Sequence, residues 1–128
     1  MDSLSPVRFI LDTKLRIKTN LKIIKSSRKI KTFIFTNTNN KKKILKLRKF
    51  GIKILILNEN SKRINLERIL FEVAKLGFNN ILLESGPNLN YAFLKKKLIN
   101  KIYYFQTKKN IDLDLIPAEK KINIKHIE

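Results

Sequence analysis

From residue 32 onward, apolar runs of strand length alternate with segments whose apolar residues recur every three or four positions. Few architectures accept that alternation. Thr32-Phe33-Ile34-Phe35-Thr36 reads as a strand bounded by Ser26-Ser27 and an Asn-rich loop. Residues 41–50 set Ile44, Leu45, Leu47 and Phe50 among lysines at near-helical spacing, with Gly51 where a helix C-cap would sit. Residues 52–57 are almost continuously apolar, which suits a strand covered on both faces. Asn65 can cap the next helix, whose Leu66, Ile69, Leu70, Val73 and Leu76 repeat at i, i+3, i+4 and i+7, and Gly77 stops it. A strand over residues 80–84 follows, then a helix over about residues 87–98 with Pro87 in its first turn and Leu89, Phe93, Leu94 and Leu98 facing inward. Residues 102–105 read as another strand.

This order implies right-handed crossovers and a largely parallel sheet covered by helices. Upstream, Val7-Arg8-Phe9-Ile10-Leu11 reads as a strand closed by Asp12-Thr13, residues 14–20 as irregular, and Leu21-Lys22-Ile23-Ile24 as a brief extended piece. Downstream, residues 107–120 gather turn formers around Pro117, and residues 122–127 alternate as a half-buried strand. Neither an internal repeat nor a linker interrupts the 128 residues, a length that supports one domain with a real core.

Composition narrows the chemistry. The chain has no cysteine, and its one histidine, His126, has no second histidine to pair with, so no metal site of the usual spacing is expected. The net charge of +19, from 29 Lys+Arg against 10 Asp+Glu, raises the question of a polyanionic partner. The excess is mostly lysine accompanied by abundant Ile and Asn, residues that share A- and T-rich codons, and no basic motif interleaved with aromatics appears. Nucleic acid is therefore not the expected partner, although a small basic nucleic-acid-binding protein stays open as an alternative. No apolar stretch approaches the ~20 residues needed to span a bilayer. The start, Met1-Asp2-Ser3-Leu4-Ser5-Pro6, is unlike a signal peptide, so a cytoplasmic protein is expected.

Chemistry concentrates at Ile81-Leu82-Leu83-Glu84-Ser85-Gly86-Pro87-Asn88-Leu89-Asn90, where an apolar run ends on an acid and turns through small residues into a helix. Ligands of open parallel sheets gather at the carboxyl ends of strands, and helix N-termini favour phosphate. Asp12-Thr13, Thr36-Asn37 and Glu84-Ser85-Gly86 are the polar strand ends that could converge there. Gly86 would let a ligand approach the backbone, and Glu84 would accept hydrogen bonds from hydroxyls. A single Gly-Pro turn fits a plain strand-to-helix junction equally well, and Asp12 can simply end its strand by bonding nearby backbone.

Four blocks carry a resemblance: Arg8-Phe9-Ile10-Leu11-Asp12-Thr13-Lys14-Leu15-Arg16-Ile17, residues 32–36, residues 82–94, and Leu98-Ile99-Asn100-Lys101-Ile102-Tyr103. In order and spacing they resemble the C-terminal reductase domain of the bacterial riboflavin-biosynthesis RibD family. The resemblance implies an α/β fold of the dihydrofolate-reductase-like type, a three-layer, mostly parallel sheet with flanking helices, here incomplete. It also implies NADPH-dependent reduction of the ribosyl group of 5-amino-6-(5-phosphoribosylamino)uracil to the ribitylamino product, by hydride transfer from the nicotinamide to the sugar carbon. On this chain Glu84 matches the family's substrate-binding glutamate. Gly86, Pro87, Asn88, Leu89, Asn90, Tyr91 and Ala92 match the turn and helix start that hold NADPH, and Thr13 matches a strand-end position near the cofactor. No catalytic proton donor is assigned by the match.

Two departures qualify the resemblance. The family often carries two glycines after the glutamate, where this chain has Ser85-Gly86, a small pair that keeps the turn. The family domain also begins well upstream and continues past residue 120, and a zinc deaminase domain often precedes it. Residues 1–128 are accordingly expected to form a single partial reductase domain, either a fragment or one completed by a second polypeptide such as a homodimer partner. A non-catalytic dimerising remnant is the third alternative.

Overall fold

The computed structural model describes residues 5–59 and 63–103. The chain divides into two units, Met1–Phe78 and Asn79–Glu128. The first holds β1 (Arg8–Leu11), α1 (Lys22–Lys25) running into a 3-10 turn (Ser26–Arg28), β2 (Thr32–Thr36), α2 (Lys41–Arg48), β3 (Lys53–Ile56) and α3 (Leu66–Lys75). The second holds α4 (Pro87–Lys95).

The three strands form one parallel sheet in the order β1-β2-β3. Parallel neighbours need a crossover between them, and α1 and α2 supply the two crossovers. Register places Phe9 beside Phe33, Ile10 beside Ile34 and Ile34 beside Ile54, so the alternation of side chains sorts the residues onto two faces. One face is aliphatic: Ile34 packs in a buried cluster with Leu15, Ile24, Ile44, Leu47 and Ile52, flanked by Ile10 and Ile54. The other is aromatic, with Phe9 stacked on Phe33 at 5.2 Å and Phe78 meeting Phe9 edge-on at 5.3 Å. Since Phe78 follows α3, the end of that helix is anchored on the aromatic side, whereas α1 and α2 serve the aliphatic one. The central strand β2 is buried from end to end.

Two helices end and begin where the residues indicate. Asn40 Oδ1 accepts from the Lys43 N–H at 3.0 Å to cap α2, and Asn65 Oδ1 accepts from the Arg68 N–H at 3.1 Å to cap α3. Gly51 follows α2 at φ +80°, a left-handed backbone that selects glycine there, although a Cβ would meet only ordinary contacts.

Elsewhere the structure departs from expectation. Residues 21–24, expected to be extended, start α1. A helical turn buries Ile24 completely, and the Ser27 hydroxyl donates to the Ile23 carbonyl at 2.8 Å to close it. Residues 80–84, expected to be a strand, belong to no ladder, and Ile81 and Leu82 are 48% and 70% exposed. Strand geometry is stabilised by a neighbour, and among the described residues the ladder joins only β1, β2 and β3. Ile102 and Tyr103 are likewise outside any ladder, while the rest of that expected strand, the strand over 122–127 and His126 lie outside the described residues. Among the described residues no helix is long and apolar enough to cross a membrane.

Candidate functional site

Two of the three polar strand ends are built into one another. Asp12 Oδ2 accepts from the Ile17 N–H at 2.7 Å, and the Asp12 carbonyl accepts from the Leu15 N–H at 3.0 Å, so this acid closes a loop. The backbone-bonding reading of Asp12 is thus the correct one. Thr13 is half-buried just beyond β1, and its carbonyl oxygen accepts from both the Asn37 N–H and the Thr36 hydroxyl at 3.0 Å. The Thr36 hydroxyl in turn accepts from the Thr38 N–H at 3.3 Å. The carboxyl ends of β1 and β2 are therefore a rigid polar rim, with Thr13 fixed through its backbone.

Glu84, Ser85 and Gly86 belong to the second unit, as do Pro87 through Ala92. Glu84 is exposed, at the end of a segment that makes no ladder. The turn that follows is held by a reciprocal pair: the Ser85 hydroxyl donates to Asn90 Oδ1 at 2.6 Å, and Asn90 Nδ2 donates to the Ser85 carbonyl at 3.1 Å. The Asn90 N–H donates to the Gly86 carbonyl at 3.2 Å, the first intrahelical bond of α4. Phe93 is buried, and Leu89, Asn90, Tyr91 and Ala92 are half-buried, while Gly86, Pro87 and Asn88 face outward.

The start of α4 differs chemically from those of α2 and α3. Gly86 is the N-cap and has no side chain to accept from the first turn, where Asn40 and Asn65 do so for their helices. Its φ of −70° is open to any residue, and a Cβ built there meets nothing within 4 Å. Neither strain nor packing in this chain requires glycine at 86; what glycine leaves is open space against a helix start whose dipole and N–H groups favour negative charge. The residues from Gly86 to Ala92 thus follow one another through the N-cap and the first turns of α4, with Glu84 two residues before Gly86 and Thr13 in the first unit. The Ser85–Asn90 pair was not foreseen in the sequence as a clamp, though a hydroxyl and an amide five residues apart across a helix start are the available signal.

A family model described as the RibD C-terminal domain matches residues 2–107. Among curated proteins, the riboflavin biosynthesis protein RibD of Actinobacillus pleuropneumoniae is 26% identical over 100 residues, covering 78% of this chain and 27% of that protein. Its counterpart in Buchnera aphidicola subsp. Baizongia pistaciae is 36% identical, covering 78% of this chain and 25% of that protein. That of Aquifex aeolicus is 32% identical, covering 78% and 26%. The chain spans about a quarter of the length of these relatives.

Proposed function

Because the chain belongs to the RibD C-terminal domain family, we propose that it contributes the phosphate-binding wall of an NADPH-dependent reductase of riboflavin biosynthesis. The substrate on this reading is 5-amino-6-(5-phosphoribosylamino)uracil, whose ribosyl group becomes the ribityl group. The observation that carries it is the start of α4, whose N-cap Gly86 brings no side chain of its own and leaves open space where a Cβ would lie. A cofactor phosphate oxygen placed there would take the role that Asn40 and Asn65 fill in their helices, favoured by the helix dipole. The Ser85–Asn90 pair holds the turn in shape, which lowers the ordering cost of binding. Glu84, exposed beside this turn, would accept hydrogen bonds from ribose hydroxyls of the substrate, and Thr13 would stand near the cofactor. When bound, NADPH supplies the hydride that reaches the sugar carbon.

Residues 1–128 are read as a partial reductase domain that acts in the cytoplasm and pairs with a second copy to complete its sheet. Calorimetric titration with NADPH tests the cofactor claim, on this chain and on a version extended upstream. Gly86→Val puts a branched side chain into the open space and is expected to weaken NADPH binding about tenfold or more, equivalent to about 1.4 kcal/mol, with the thermal midpoint little changed. Glu84→Gln is expected to cut turnover of the pyrimidine substrate while leaving NADPH affinity within about twofold. If neither form of the protein binds NADPH, the cofactor assignment fails; if Glu84→Gln harms both ligands alike, its assignment to the substrate fails.

A further inference from the structure

Between Asp12 and Glu59 the chain carries no acidic residue, and every charged side chain in that stretch is Lys or Arg. A base-composition bias accounts for abundant lysine and scarce carboxylates, but it does not decide where the fold places the cations. The structure gives these cations a shape. With Ile44 and Leu47 buried, α2 turns Lys42, Leu45, Lys46 and Lys49 outward at i, i+3, i+4 and i+7. Together with Arg28 and Phe50 they line an open groove of about 570 Å³. Arg28 is held across it, its guanidinium donating to the Lys49 carbonyl at 3.1 Å. Leu45 is 60% exposed and Phe50 half-buried, so apolar surface lies among four cations with no acid in the lining.

Lys42 and Lys46, four apart, and Lys46 and Lys49, three apart, repel one another on the helix surface and weaken it. An anion lying along the groove converts that repulsion into attraction. We propose that this groove binds a single-stranded nucleic acid, with Arg28, Lys42, Lys46 and Lys49 on successive phosphates and the Phe50–Leu45 surface against a base. A single strand combines a line of charges with exposed flat base faces, whereas a duplex stacks its bases away from such a wall and a membrane surface is too flat to enter a groove. Total charge is a property of composition, whereas the fold places these four cations along one face.

Fluorescence anisotropy of the full chain with fluorescein-labelled oligouridylate, over a salt series, tests the proposal. Affinity is expected to fall linearly with salt on logarithmic axes. The triple variant Lys42→Gln, Lys46→Gln, Lys49→Gln is expected to weaken binding about tenfold or more and to lower the salt slope by about 2, the value for three lost phosphate contacts on a single strand. Removing the same charge from exposed lysines of the same unit off the groove, by Lys14→Gln, Lys18→Gln and Lys53→Gln, should leave affinity within about twofold. Circular dichroism checks that α2 persists, and Lys46→Glu alone reports the same loss should the triple variant lose helix. Equal losses in both triple variants, no binding by the native chain at physiological salt, or binding of phosphatidylserine vesicles in place of the oligonucleotide would each overturn it.

Discussion

Leu15 sits at φ +51°, a region that leucine rarely adopts, yet it is only 4% exposed and belongs to the aliphatic cluster. The left-handed backbone costs about 1–2 kcal/mol, while burying a leucine side chain contributes about 1.5–3 kcal/mol. Packing wins, and the Asp12 carboxylate holding the Ile17 N–H fixes the loop around it. Substitutions at Leu15 are therefore expected to reverse the usual order. Leu15→Ala should destabilise by about 2–4 kcal/mol, and Leu15→Gly should be no worse, although glycine is ordinarily about 0.5–1 kcal/mol poorer than alanine. Urea midpoints of the two variants decide it; a clearly less stable Leu15→Gly would mean that the loop does not hold this backbone in solution. Asp12 is ambiguous in sequence for an equally local reason. A carboxylate at a strand end is equally ready to meet a ligand or nearby backbone, and only the position of the Ile17 N–H chooses.

Among the elements, α3 is the one whose residues alone suffice. Leu66, Ile69 and Val73 are buried at helical spacing, Asn65 caps the start and Leu76 and Gly77 turn out of it. Each of these signals is local, so no partner is needed to read them. Glu72 adds a pH-dependent support: its carboxyl is held below the ordinary glutamate value by the hydrogen bond from Lys75, then by that from Arg68, against a partial desolvation. A carboxyl lowered on folding stabilises the native state above its ordinary value of 4.5, and that support is lost as pH falls through the lowered one. Acid titration followed by far-ultraviolet circular dichroism should therefore show a loss of helix in this window that Glu72→Gln lacks. Both partners of Glu72 are more than half exposed, so the effect is small and shrinks in salt. Residues 80–84 are the opposite case. They have the apolar character of a strand, but a strand is completed by its neighbour, and among the described residues no ladder includes them. Residues 21–24 failed for a related reason: Ile23-Ile24 is as compatible with a strand as with a turn of helix, and the buried site waiting for Ile24 settles it.

For the molecule as a whole, a charge of +19 on 128 residues means net self-repulsion in the folded state. Salt shortens the range of that repulsion from about 30 Å at 0.01 M to about 10 Å at 0.1 M. Raising sodium chloride from about 10 mM to about 200 mM should raise the thermal midpoint by about 4 °C, equivalent to about 1 kcal/mol in a domain of this size. A midpoint that falls with salt would mean that ion pairs, not repulsion, dominate. The parallel pairing of β2 and β3 and the helix that Pro87 begins were determined by the residues alone, because periodicity, capping and turn chemistry act over a few positions; the place of β1 beside β2, across a crossover whose residues read as extended, was not. Membership of the RibD C-terminal domain family, whose model matches residues 2–107, was determined by the residues as well. Only the tertiary structure decided that Asp12 closes a loop, that Ser85 and Asn90 clamp the turn, that α2 lays its lysines along one groove, and that residues 80–84 lack a ladder. Asp12 and Ile17, like Ser85 and Asn90, are five residues apart, so a short window holds both partners but not the conformation that brings them within bonding distance, while the ladder and the reach of Arg28 to Lys49 depend on residues far apart in the chain.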